Sequence, residues 1–119
     1  MNHSALLEYC LSKPGAEQCE HEQWQTNQIK VADVMFAMVG NIGGRPSISL
    51  KSSPKLAESL REQHPEIVPS EHLNKTHWNT VFLDGKLPNS QFYTLIDHSY
   101  QLVLQGLPEQ RRQDLSSHL

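Results

Sequence analysis

At 119 residues the chain has the length of one domain, enough to bury roughly two-thirds of the surface that its unfolded form exposes. Ten Lys and Arg against thirteen Asp and Glu leave a formal charge of -3, which excludes attraction to nucleic acid by net charge alone; such a role needs a local basic patch. No run approaches the roughly 18 apolar residues of a membrane span and no basic-then-apolar leader opens the chain, so a single cytoplasmic domain over residues 1–119 is expected.

Ser4 is positioned to cap a first helix with Leu6, Leu7, Cys10 and Leu11 on one stripe, and Lys13-Pro14-Gly15 stops it. Short runs follow, and Gln28 to Val31, Val34 to Val39 and Pro46 to Lys51 read as strands. GNIGGR at 40–45 reads as a hairpin connection. The run from Val34 to Val39 is apolar on both parities, as in a central strand covered on two sides. Ser53-Pro54 marks the start of a second helix, with Leu56, Ala57 and Leu60 inward and Pro65 ending it. An irregular stretch containing Pro65 and Pro69 leads to a strand over Trp78 to Leu83, closed by an Asp84-Gly85 turn. The last long helix begins near Asn89 and carries Phe92, Leu95, Ile96, Ser99, Leu102 and Val103 on one stripe until Gly106 and Pro108 break it. Beyond lies a polar tail with room for one marginal turn.

Strand runs joined by hairpin-length connections, mixed with a few helices, predict an α+β two-layer sandwich: an antiparallel sheet with helices packed on one face. The other face is left uncovered. Alternation puts Ser47, Ser49 and Lys51 on one side of their strand and Trp78, Thr80 and Phe82 on one side of theirs, so that two large aromatics are expected on an open, mildly basic surface.

Chemistry-bearing motifs are sparse. Cys10 and Cys19 have neither zinc-like nor CxxC spacing, and both are expected reduced and partly buried. His72 and His77 stand five apart, which suits no metal site; Glu17, Cys19 and His21, with Glu22 beyond, form at most a weak cation site on what also reads as a charge-blunted edge strand. There is no GxSxG, HExxH, GxGxxG or Walker lysine, so neither an enzyme, a metal nor a cofactor is expected. What remains is recognition. Lys30, Arg45, Lys51 and Lys75 are the candidate phosphate contacts, with Trp78 as the stacking group and His72 and His77 beside it. The competing reading makes Trp78 a core or dimer-interface aromatic and the lysines solubilising charges.

Longer segments carry a family likeness. By KPGAEQ at 13–18, IKVADVMFAMV at 29–39, SLK at 49–51, HLNKTHWNTVFLDGKLP at 72–88 and IDHSY at 96–100, the chain resembles the MmcQ/YjbR family of small bacterial proteins over nearly its whole length. The resemblance implies a two-layer α+β fold similar to that of type III secretion chaperones, the label CyaY-like, and a description as DNA-binding through a double-wing motif. It makes the segment bearing His72, Asn74, Lys75, His77 and Trp78 the most recognisable feature, and it implies no catalytic role for these residues. Two functions are therefore expected: a DNA or other nucleic-acid-binding module, or a protein-interaction or chaperone-like module that binds a partner or a second copy, with no membrane involved.

Overall fold

The computed structural model describes residues 1–21, 26–71 and 73–116. Six strands form one antiparallel sheet in the order β1-β2-β3-β4-β6-β5: Ala16–His21, Thr26–Val31, Val34–Ile42, Arg45–Lys51, Trp78–Phe82 (β6) and the short Ile67–Pro69 (β5). Helices α1 (His3–Leu11), α2 (Pro54–Gln63) and α3 (Asn89–Gln105) pack on one side of it, α3 across β2, β3 and β4, α1 on β1 and β3, and α2 on β5 and β6. No helix among the described residues is long and apolar enough to cross a membrane.

The helices begin and end where their boundary residues require. The α1 cap is Asn2 and not Ser4: its side chain accepts the Ala5 amide at 2.8 Å, which satisfies one of the unpaired donors of the first turn. Pro54 opens α2, where its missing N–H costs nothing, and the extended His64 before Pro65 closes it. The tail forms more than one marginal turn, since α4 runs over Glu109–Ser116. Asp33 on the β2–β3 turn lies 3.7 Å from Arg111.

Both tight hairpins use left-handed backbone. At the β3–β4 turn Gly43 and Gly44 have φ of 59° and 80°, and Ile42 pairs with Arg45; the connection expected over 40–45 is therefore a two-residue turn, with Gly40 to Ile42 still in strand. At the β2–β3 turn the same conformation falls to Ala32 and Asp33, at 51° and 65°, although neither is a glycine.

Phe36 explains much of the two-sided apolar run in β3. Ile29 pairs with Ala37 but Lys30 pairs with Met35, so Phe36 is an extra residue, a β-bulge that breaks the alternation. Phe36 is fully buried in the core with Leu6, Ile29, Ile48, Phe92 and Ile96. The bulge also disturbs the other edge of β3, and there Ser99 of α3, wholly buried, inserts its hydroxyl. It donates to the Phe36 carbonyl at 2.5 Å and accepts the Lys51 amide at 2.9 Å, so two ladder groups that would have met each other are bridged by a side chain. Two further ties fix the layers. The Asn79 side chain donates to the Ala57 carbonyl at 3.0 Å, and Lys13 and Tyr9 both bond Asp97, which joins the end of α1 to α3.

The two cysteines part company: Cys10 lies in the core, where burial pushes its thiol up to about 12, whereas Cys19 is exposed on β1 and not partly buried.

Candidate recognition cleft

On the helix-free side, register pairs Ser47 with Phe82, Ser49 with Thr80 and Lys51 with Trp78, so the polar side of β4 and the aromatic side of β6 share one surface, as their alternation predicts. The surface is less open than expected. Ser47, Ser49 and Thr80 are at most 2% exposed, and Trp78 is 9% exposed. The short hydroxyl side chains sit in register beside the larger Phe82 and Met38.

Solvent enters this face through a cleft of about 380 Å³ lined by Ile42, Val68, Pro69, Glu71, Lys75, Thr80 and Phe82. At its floor Thr80 Oγ1 lies 2.9 Å from Ser49 Oγ and 3.1 Å from Ser70 Oγ, so the one hydroxyl lining the cleft is already engaged by two others. On one wall Phe82 is capped by the Arg45 guanidinium at 3.8 Å from the ring centre. That guanidinium donates twice to Asp84, at 2.7 and 2.9 Å; the hydrogen bond from Arg45 holds the Asp84 carboxyl below its ordinary value, against a smaller opposing effect of desolvation.

The opposite margin is the loop between β5 and β6, built by Asn74. Its side-chain oxygen accepts the Thr76 amide at 2.9 Å, an Asx-turn, while its carbonyl accepts the His77 and Trp78 amides at 3.1 and 2.8 Å. The loop is pinned from outside by Arg61, which donates to the Lys75 carbonyl at 3.0 Å, and by the Ser52 amide on the His77 carbonyl at 2.7 Å. Thus residues 74–78 become a fixed turn that places Lys75 on the cleft, which Glu71 also lines.

The expected phosphate contacts do not assemble into one patch. Arg45 and Lys51 occupy opposite ends of β4, roughly 20 Å apart at strand rise, and Arg45 is committed to Asp84 and Phe82. Lys30 and Lys51 are half-exposed at the same end of the sheet. Lys75 alone of the nominated cations lines the cleft. Trp78 is not the exposed stacking platform expected; its indole is buried, and its amide is held by Asn74. His77 is half-buried, whereas His72 lies outside the described residues. Among the described residues no three of His, Cys, Asp and Glu gather as a cation site, and Glu22 of the weak-site candidate also lies outside them.

Sequence reasoning missed Ile42, Val68, Pro69, Glu71 and the Ser49–Thr80–Ser70 chain. Ile42 was hidden by reading 40–45 as a loop, and Val68 and Pro69 by reading 65–69 as irregular, since β5 has only three residues and ends in proline. The signal available was the shared parity of Ser47, Ser49, Thr80 and Phe82.

An open antiparallel sheet with helices on one side and a shallow cleft on the other defines the class, and comparison supplies the kinship. The YjbR family model matches residues 11–102, a span containing the whole sheet and every cleft residue, and the chain belongs to that family. It is 58% identical to the uncharacterized protein YjbR of Escherichia coli K12, over 94% of this chain and 95% of that one. A crystal structure of a Deinococcus radiodurans protein superposes with a TM-score of 0.87 at 32% identity, covering 97% of this chain and 88% of that one. A Pseudomonas syringae protein gives 0.74 at 29% identity, covering 86% and 98%.

Proposed function

We propose that the chain is a non-catalytic cytoplasmic binding module that receives a small ligand, or the end group of a larger one, in the outer-face cleft. The observation that carries this reading is the cleft itself. Its 380 Å³ falls at the lower end of the roughly 300–1,000 Å³ of small-ligand sites. Its walls are apolar at Ile42, Val68, Pro69 and Phe82, and its charged groups are Glu71 and Lys75, the latter on a turn fixed by five hydrogen bonds of Asn74, Arg61 and Ser52.

A second reading, nucleic acid along the outer face, has one observation in its favour: Lys30 and Lys51 come to the same end of the sheet. Against it stand the buried Trp78, the Arg45–Asp84 pair and the Glu71 carboxylate, which repels phosphate beside Lys75. Amide shifts of the ¹⁵N-labelled protein, recorded with free amino acids, short peptides and single- and double-stranded oligonucleotides at low salt, separate the two. Perturbation of Ile42, Val68, Thr80 and Phe82 is expected. Shifts produced only by oligonucleotides, centred on Lys30 and Lys51 and erased by salt, would favour the second reading; silence with every probe would remove both.

A further inference from the structure

Opposite charges near each other elsewhere in this molecule find one another: Lys13 with Asp97, and Arg45 with Asp84. Glu71 and Lys75 do not. They line the same cleft, four residues apart in the chain, yet among the described residues neither charged group has a protein partner. Asn74 and Arg61 fix the backbone on either side of Lys75, and no ion pair within 4.0 Å joins it to Glu71. The remaining polar side chain of the cleft, Thr80, is engaged by Ser49 and Ser70, so a ligand finds one carboxylate, one ammonium and an apolar wall.

Building on the binding-cleft reading, we infer that the ligand is a small zwitterion with an apolar side chain, a free amino acid or a dipeptide: its ammonium meets Glu71, its carboxylate meets Lys75, and its side chain lies against Ile42, Val68 and Phe82. A lone anion would leave Glu71 as a repulsive neighbour, and a lone cation would leave Lys75 so. Both charges are exposed, so each contact contributes modestly and the binding is weak, which sets the kind of measurement needed.

The test titrates the full chain with leucine, leucyl-leucine, N-acetyl-leucine, leucinamide and N-acetyl-leucinamide, following the amides of Val68, Thr80 and Phe82 by NMR. The zwitterions should bind best, and capping either end should weaken binding at least about threefold. Glu71→Gln should abolish the preference for a free ammonium alone, and Lys75→Gln the preference for a free carboxylate alone. Leucine against leucyl-leucine decides between the two sources. If the doubly capped compound binds at the same amides as tightly as leucine, the zwitterion inference is overturned while the cleft reading stands; if none of the five moves those amides, the inference is overturned outright.

Discussion

Under the helices, polar side chains tie one element to another: Ser99 bridges the β3 bulge to β4, the Asn79 amide nitrogen holds α2, and Asp97 receives both Lys13 and Tyr9, although the buried Asn79 Oδ1 and His98 Nε2 lack a hydrogen-bond partner among the described residues. Across the sheet the hydroxyls of Ser49 and Ser70 both meet that of Thr80, and beside them Glu71 and Lys75 have no charged-group partner among the described residues. The two faces are built from the same strands, so the contrast is not one of composition. It separates groups whose removal costs stability from groups whose removal costs only binding.

The largest effect is expected at Ser99. Replacing it by Ala leaves the Phe36 carbonyl and the Lys51 amide without their bridge, and an orphaned buried polar group costs on the order of 1–3 kcal/mol. Ser99→Ala should therefore lower unfolding stability by about 2 kcal/mol, read as a fall in the urea midpoint at constant slope. Gln101→Ala, on the exposed side of the same helix, should stay within about 0.5 kcal/mol. Equal losses would mean that the bulge needs no bridge.

Next comes the turn at Ala32 and Asp33, where L-residues hold φ of 51° and 65°. Left-handed backbone costs such a residue roughly 1–2 kcal/mol, while glycine gives back part of that through its freer unfolded chain. Ala32→Gly should thus stabilise the fold by about 0.5 kcal/mol. A loss of stability would show that the Ala32 methyl packs usefully.

How far these features were legible in the sequence follows the range of the interactions that make them. Helices α2 and α3 announced themselves through Pro54, Pro65, Gly106 and an unbroken apolar stripe, all local signals. The parity of β4 and β6 was equally readable, because alternation fixes the side a residue takes. Alternation does not fix depth, and so Trp78 was placed on the right face and at the wrong exposure. The bulge at Phe36 erased the period that would have revealed it. Arg45 looked like a free cation because the carboxylate that binds it is 39 residues away. The cleft was the least legible of all, since its walls come from β3, β5, β6 and a loop that no single segment encodes.

Arg45 and Asp84 join the two behaviours, an ion pair on the outer face that is half-exposed. The folded-state value of Asp84 is depressed, with hydrogen bonding from Arg45 as the leading cause, so the contribution of the pair is present above the ordinary carboxylate value of about 4 and fades as pH falls through the lower folded one. Asp84→Asn should accordingly be slightly less stable than the parent at neutral pH and indistinguishable from it in strong acid. Added salt should narrow the neutral-pH gap. A gap that widened on acidification would reverse the sign of the linkage.

The smallest expected effect is the most informative. Glu71 and Lys75 line the cleft without a partner among the described residues, so Glu71→Gln and Lys75→Gln should each leave the unfolding stability within about 0.5 kcal/mol of the parent. The turn at 74–78 depends on main-chain atoms and on the side chains of Asn74 and Arg61, which neither substitution touches. Asn74→Ala supplies the control: it removes the acceptor of the Thr76 amide and should loosen the loop, with faster amide exchange at Thr76. Should the Gln variants lose stability as Asn74→Ala does, the rim charges would belong with the partnered groups under the helices, and the division between the two faces would fail at the place where binding is proposed.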